Sequence, residues 1–174
     1  MNNLSIAPNN PERTRLQKTT LTALFAALAV LLSPFSFPVG PSRCFPFQHA
    51  VNVVSGVMLG PLWACGAAFI ASLVRNILAT GTVLAFPGSL FGALVVGFAA
   101  KLLPEKFRLW AALAEPLATG TLGAGVASLI ASPAGGWTAM FATLSVAFLL
   151  SSAPGAAIGG GVLYFLKRGS RKAS

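Results

Sequence analysis

The chain alternates between long apolar segments and short segments rich in polar residues, proline or glycine. Residues 1–18 are polar, and six apolar stretches follow them. Each stretch is long enough for a helix, and proline or glycine stands at most of the boundaries. We therefore predict six helices, over residues 19–33, 47–60, 62–79, 88–103, 110–132 and 137–167.

Two connections between these helices differ from simple turns. Residues 34–47 contain four prolines and a glycine, which excludes a regular helix. Residues 80–87 are also irregular, with Gly81 and Pro87 near their ends. Irregular backbone at membrane depth is tolerated where it is enclosed by protein or lines a cavity. We therefore expect both connections to dip towards a pocket, which would also explain why several helices are shorter than the ~20 residues of a perpendicular span.

The composition is that of an integral membrane protein. Hydrophobic residues make up 55% of the chain and charged residues only 9%. Soluble domains carry about 25% charged residues, so this chain has too few to cover a water-soluble surface. Its length suits a single domain.

Basic residues flank the apolar segments and thereby indicate the topology. Ten of the twelve lie in the two tails or around the connection at 104–109: Arg13, Arg15, Lys18, Lys101, Lys106, Arg108, Lys167, Arg168, Arg171 and Lys172. Such residues mark cytoplasmic loops. Six spans with both termini in the cytoplasm put all ten on one side, whereas splitting residues 137–167 in two would separate the basic tails. We predict one long helix, kinked at Pro154, and no nucleic-acid binding.

Scarce polar residues converge at one predicted depth, near the outer surface. Gln48, His49 and Asn52 come early in the inward-running second helix, whereas Arg75 and Asn76 come late in the outward-running third helix. Polar groups at membrane depth usually face protein or a wet cavity. The pattern favours a small polar pocket that opens outward beneath the proline-rich loop. The alternative is that Arg75 reaches the outer headgroups and His49 only caps a helix.

Glu115 and two alanines of the first helix are further candidates. Glu115 either accepts hydrogen bonds at the floor of the pocket or lies beside the positive start of a helix that begins at Pro116. Ala23 and Ala27 are four residues apart, a spacing at which small side chains let another helix approach closely. Packing within the monomer would explain the alanines equally well.

Several kinds of active or binding site are missing from the sequence. There is no G-x-x-x-x-G-K-[ST] run for ATP and no G-x-S-x-G run for a serine nucleophile. One histidine and two separated cysteines do not make a metal site. We therefore expect no enzyme activity, no metal and no cofactor.

The longest motif of the chain resembles a known family. The runs FPFQHAVNVVSGVMLGPLWA and LVRNILATGTVLAFPGSLFGALVVG, within residues 37–97, resemble the ThiW family, and AEPLATGTLGAGVASLIASP is also similar. Members of that family are the substrate-capturing S components of energy-coupling factor (ECF) transporters for the thiazole precursor of thiamine. The resemblance implies a six-helix bundle in the cell membrane, with both termini in the cytoplasm and a loop-covered ligand site near the outer face.

The resemblance also implies a ligand, partners and contact residues. The ligand would be hydroxyethylthiazole, and the partners a transmembrane coupling subunit, docked at Ala23 and Ala27, and two ATPase subunits. The implied ligand contacts are Gln48, His49, Asn52, Arg75, Asn76, Thr82 and Glu115. Phe45, Phe47 and Phe86 could supply an apolar wall. The binding domain would be residues 19–168, between a polar tail at 1–18 and a basic tail at 169–174.

Other functions remain open at this point. Arg43 and Arg75 would suit a phosphorylated thiazole or another anion. An S component for a pyrimidine precursor or thiamine itself, or a stand-alone channel or carrier of small solutes, would also fit the apolar helices.

Overall fold

The protein is a bundle of six helices with one small β-hairpin. The computed structural model describes residues 11–39 and 42–172. The elements are α1 (Pro11–Leu31), β1 (Phe37–Val39), β2 (Ser42–Cys44), α2 (Pro46–Leu59), α3 (Pro61–Ile77), α4 (Ala85–Leu102), α5 (Glu105–Ala131) and α6 (Trp137–Lys172). The predicted all-α membrane fold with six helices is confirmed.

The first helix begins earlier than predicted. α1 starts at Pro11, eight residues before the predicted start at residue 19. Proline is favourable at the first helical position because its missing N–H would have no partner there. The polar residues from Pro11 onward therefore extend the helix instead of forming a tail, and the rest of the predicted tail, residues 1–10, lies outside the described residues.

The fifth helix is longer and less regular than predicted. It begins at Glu105, so the predicted charged loop at 104–109 is wrong over most of its length. A 3₁₀ segment, Glu105–Leu113, leads into α-helix at Ala114–Ala118. A single π turn, Thr119–Gly123, then precedes the last α-helical part, Ala124–Ala131. π turns often occur at functional sites because they redirect neighbouring side chains.

The proline-rich connection contains the hairpin, which the sequence analysis did not predict. β1 and β2 are antiparallel, with Phe37 opposite Cys44 and Pro38 opposite Arg43. The hairpin is tied to α6, because the N–H of Phe45 donates to the hydroxyl of Ser151 at 2.7 Å.

α2 is the central element of the bundle, in contact with all five other helices. Eleven of its 14 residues are buried. It is about 21 Å long at 1.5 Å per residue, which is shorter than the ~30 Å apolar core of a bilayer. α2 directly follows the hairpin, whose second strand packs on α6.

Close helix approach in this bundle depends on glycine. A Cβ atom at Gly159 of α6 would lie 2.8 Å from the carbonyl oxygen of Ala50 in α2. One at Gly97 of α4 would overlap the backbone of Pro61, at the start of α3. The apolar core is accordingly built from small residues, among them Ala67, Ala71 and Val96.

The two ends of the bundle have different character. One end, which we call the hairpin end, contains the hairpin, the connection between α3 and α4, and the connection between α5 and α6. At the opposite, basic end, Lys167 donates to the carbonyl of Glu105 at 3.4 Å, and Lys101 lies beside the Gly60–Pro61 turn. Lys101 and Lys167 therefore lie at the same end of the bundle, as predicted.

Three helices of the described chain are long and apolar enough to span a membrane: α4, α5 and the Trp137–Gly169 part of α6. α3 is apolar but shorter, at 17 residues. α6 is one continuous helix with Pro154 inside it, so the predicted single long helix is confirmed. Six spans and cytoplasmic termini stay predictions.

Gly97→Ala should destabilise the fold, because the added methyl group would force α4 away from Pro61. Overpacking of this kind costs about 1–3 kcal/mol. The matched control is Gly161→Ala in α6, where an added Cβ meets nothing within 4 Å and alanine favours the helix. Thermal unfolding of the purified variants in one detergent checks this. Equal midpoints for Gly97→Ala and the unsubstituted protein would contradict the packing described.

Candidate functional site

The polar residues of α2 form one buried face near its first turns. Gln48, His49 and Asn52 are exposed by only 5%, 7% and 2%. The spacing of Gln48 and Asn52, four residues apart, puts them on the same side of the helix. Buried polar groups need hydrogen-bond partners, and these come from α4 and α5.

Ser89 of α4 is the partner of both amides. Its hydroxyl accepts from Gln48 Nε2 at 2.8 Å and lies 3.0 Å from Asn52 Nδ2. It also lies 3.3 Å from Asn52 Oδ1, to which it can donate. Ser89 is 1% exposed, so these bonds have no competition from bulk water. They hold the two amides of α2 against the second turn of α4.

Glu115 of α5 completes this buried layer. Its Oε1 accepts from Thr119 Oγ1 at 3.1 Å and from Asn52 Nδ2 at 3.4 Å, and it lies 2.5 Å from His49 Nδ1. Room for the carboxylate comes from Gly92, where a Cβ would lie 2.5 Å from Glu115 Oε1. Glu115 is thus a hydrogen-bond acceptor. It also lies in the first turn of the α-helical part of α5, Ala114–Ala118, which continues directly from the 3₁₀ segment.

We call Gln48, His49, Asn52, Ser89, Glu115 and Thr119 the polar layer. It joins α2, α4 and α5 by hydrogen bonds between side chains that are distant in sequence. The π turn begins at Thr119, whose hydroxyl also lies 3.0 Å from the carbonyl of Gly88.

Arg75 lies near the hairpin end of α3 and is fully buried, so it does not reach into a headgroup region. Its Nη2 donates to the carbonyl of Thr80 at 3.2 Å, and its guanidinium carbon lies 4.0 Å from the centre of the Phe45 ring. A guanidinium over an aromatic face is attractive, more so when it is desolvated. Arg75 therefore holds the residue after the hairpin against the connection that follows α3.

Asn76 supports the same connection. Its Nδ2 donates to the carbonyls of Ser72 at 2.8 Å and Thr82 at 3.1 Å. Through Arg75 and Asn76, the last turn of α3 shapes the irregular backbone at residues 78–84.

A partly open cavity of about 1310 Å³ lies at the hairpin end, beside the polar layer. Its walls come from the start of α2, the connection at 79–84, the start of α4, Thr119 and the first half of α6. This volume exceeds the usual range for small-molecule sites, about 300–1,000 Å³. Both irregular connections, at residues 34–47 and 80–87, contribute to the walls, as we expected from the shortness of several helices.

The predicted site residues divide into three groups. Gln48, His49 and Thr82 line the cavity. Asn52 and Glu115 are outside the lining but bond to residues that line it. Arg75 and Asn76 are also outside the lining and bond to the connection that covers it. Their roles in ligand contact stay predictions.

Of the three phenylalanines expected in the wall, one lines the cavity, and several other wall residues were not predicted. Phe45 lines the cavity, but the rings of Phe47 and Phe86 pack instead on Phe35 and Phe69. Arg43, considered above for an anionic ligand, also lines the cavity. Further lining residues that were not predicted are Ser89, Thr119, Met140, Phe148 and Ser151. Ser89 was not predicted because a single serine near a predicted helix boundary does not indicate a binding site. The α6 residues were not predicted because they lie in an ordinary apolar segment. Among the residues that the structure describes, no three metal-ligating side chains lie together.

Comparison with known proteins gives one match. A family model described as "Thiamine-precursor transporter protein (ThiW)" matches residues 19–169 of the chain. No curated protein and no solved structure matches.

Ser89→Ala should destabilise the ligand-free protein, because Gln48 Nε2 loses the only partner that the structure gives it. An unsatisfied buried donor costs about 1–3 kcal/mol. The control is Ser128→Ala, another buried serine, whose hydroxyl bonds only within its own helix, to Ala124. Thermal unfolding should show a larger loss for Ser89→Ala than for Ser128→Ala. Equal losses would mean that the hydrogen bonds of Ser89 contribute nothing specific.

Proposed function

The chain belongs to the ThiW family of thiamine-precursor transporter proteins, and from that premise we propose that it is the capture subunit of an ECF transporter. It takes hydroxyethylthiazole at the outer face of the cell membrane, which it crosses six times. Coupling and ATPase subunits then drive release into the cytoplasm. The chain itself carries out no catalysis.

The observation that carries this proposal is the cavity at the hairpin end, bordered by the polar layer. A neutral heterocycle needs an apolar enclosure and a few directed hydrogen bonds. Phe45, Met140 and Phe148 supply apolar surface, whereas Gln48 and His49 supply polar groups. Lys101 and Lys167 lie at the other end, which by the positive-inside rule faces the cytoplasm. The cavity then faces outward.

A specific observation favours a phosphorylated thiazole as the second candidate ligand. Arg43 lines the cavity, and no acidic side chain is among the lining residues of the described chain. The same charge distribution disfavours thiamine, which is a cation.

The outer face of α1 supports the assignment of a docking partner. Ala23 and Ala27 are exposed, whereas Ala26 and Ala29 are buried in the core. Packing within the monomer therefore accounts for the second pair and not for the first. Small residues on a lipid-facing surface allow close approach of another helix, here from the coupling subunit.

The purified chain should bind hydroxyethylthiazole at a ratio near one to one, without ATP, in isothermal titration calorimetry. Gln48→Ala should weaken binding about tenfold, the loss expected for one buried hydrogen bond. Thr121→Ala is the control, since that hydroxyl bonds only to Leu117 of its own helix. Hydroxyethylthiazole phosphate and thiamine are titrated in parallel. No binding of any of the three, or solute flux through the chain alone in proteoliposomes, would contradict the capture function.

Replacing both Ala23 and Ala27 by leucine should abolish co-purification with the coupling subunit and leave ligand binding unchanged. Larger side chains on the docking face would hold the partner helix away. Ala157→Leu, on an exposed face of α6, is the matched control. Normal co-purification of the double variant would show that α1 is not the docking face.

A further inference from the structure

The only histidine of the chain stands between the cavity and a buried carboxylate. His49 lines the cavity, and its Nδ1 lies 2.5 Å from Glu115 Oε1. Its other ring nitrogen, Nε2, has no hydrogen-bond partner within residues 14–38 and 43–169. Nε2 is therefore the imidazole atom available to a ligand.

Glu115 is in an environment that disfavours a net charge. The residue is fully buried, and its Oε2 has no hydrogen-bond partner. In the described part of the chain, its one ion-pair partner is His49. Burying an unbalanced carboxylate costs much more free energy than burying a neutral pair. A pair in which His49 and Glu115 together carry no net charge avoids that cost.

A pair without net charge can be drawn in three ways. In the first, the proton between the two groups is on Nδ1, and the imidazolium carries hydrogen on both nitrogens. In the second, that proton is on Oε1, Nδ1 accepts it, and the neutral ring must carry its hydrogen on Nε2. In the third, the ring hydrogen is on Nδ1 and the acid hydrogen is on Oε2, which leaves Nε2 bare. Oε2 has no hydrogen-bond partner in the described part of the chain, so the third form would contain an unpaired buried donor. Nε2 bears a hydrogen in both of the forms that avoid this penalty.

We propose that Glu115 makes His49 an N–H donor directed into the cavity, and that this donor selects ligands with an unprotonated heteroaromatic nitrogen. Glu115 is a positioning residue, since it acts through the imidazole and not on the ligand. The selectivity part rests on the proposed function, because the thiazole ring has such a nitrogen. A buried donor without an acceptor is penalised, so rings that present C–H at that position bind less well.

The hydrogen on Nε2 can be observed without any ligand. Because the chain has a single histidine, a protein labelled with ¹⁵N-histidine and lacking a polyhistidine tag gives imidazole signals from His49 alone. NMR in detergent should show Nε2 protonated. In Glu115→Gln, the amide oxygen accepts from Nδ1–H while no proton is shared, so the Nε2 signal should change to that of a bare nitrogen. A bare Nε2 in the unsubstituted protein would overturn the proposal, whether or not the chain binds thiazole.

The selectivity is tested with two probes, hydroxyethylthiazole and its thiophene isostere, in which C–H replaces the ring nitrogen. The unsubstituted protein should prefer the thiazole about tenfold, the value of one buried hydrogen bond. In Glu115→Gln that ratio should fall to about one. Thr121→Ala, in the same helix, removes a hydroxyl that bonds to the carbonyl of Leu117 and should keep the ratio.

A merely structural role for Glu115 would give another result. Both probes would then weaken equally in Glu115→Gln, the tenfold ratio would persist, and the proposal would fail. Equal binding of both probes by the unsubstituted protein would also refute it. If Glu115→Gln does not fold, the NMR spectrum of the unsubstituted protein still decides the state of Nε2.

Discussion

Burial of the polar layer is the constraint on which the rest of the structure depends. α2 carries an amide pair and an imidazole into the centre of an apolar bundle, where unpaired polar groups are costly. Ser89 and Glu115 satisfy them from two other helices. This arrangement is possible only if α2, α4 and α5 keep one relative height and rotation. The layer therefore specifies the register of the helices, which apolar packing of alanines and valines alone would leave loosely defined.

The position of the cavity follows from the same constraint. Because α2 is short and begins at the level of the layer, α6 and the start of α4 enclose only part of the space beyond it, and irregular backbone must enclose the rest. The hairpin and the connection after α3 fill this role, and Phe45 joins them to the helices through Ser151 and Arg75. A ligand would therefore lie between a hydrogen-bonded floor and a cover made of irregular backbone. Such an arrangement suits a member of a transporter family.

Sequence patterns predicted the number of helices and the polar face of α2, and the features that they did not predict have physical causes. Helix number and the polar face of α2 depend on local periodicity, so they could be read directly. The early start of α1 and the 3₁₀ entry to α5 could not, because polar residues can extend a helix beyond its apolar part. The hairpin was missed because four prolines in residues 34–47 exclude a helix without specifying what replaces it.

The amino-acid sequence by itself determined the membrane class and the six helices and indicated part of the polar layer, since composition and spacing are properties of the chain. Only the tertiary structure decided how those residues are used. Arg75 contacts Phe45 and Thr80, Glu115 pairs with His49, and Ser89 binds two amides. These partners lie on different helices, and their distances depend on helix rotation and on glycine-dependent close packing. No local pattern encodes such quantities, because they arise only when the whole bundle is assembled.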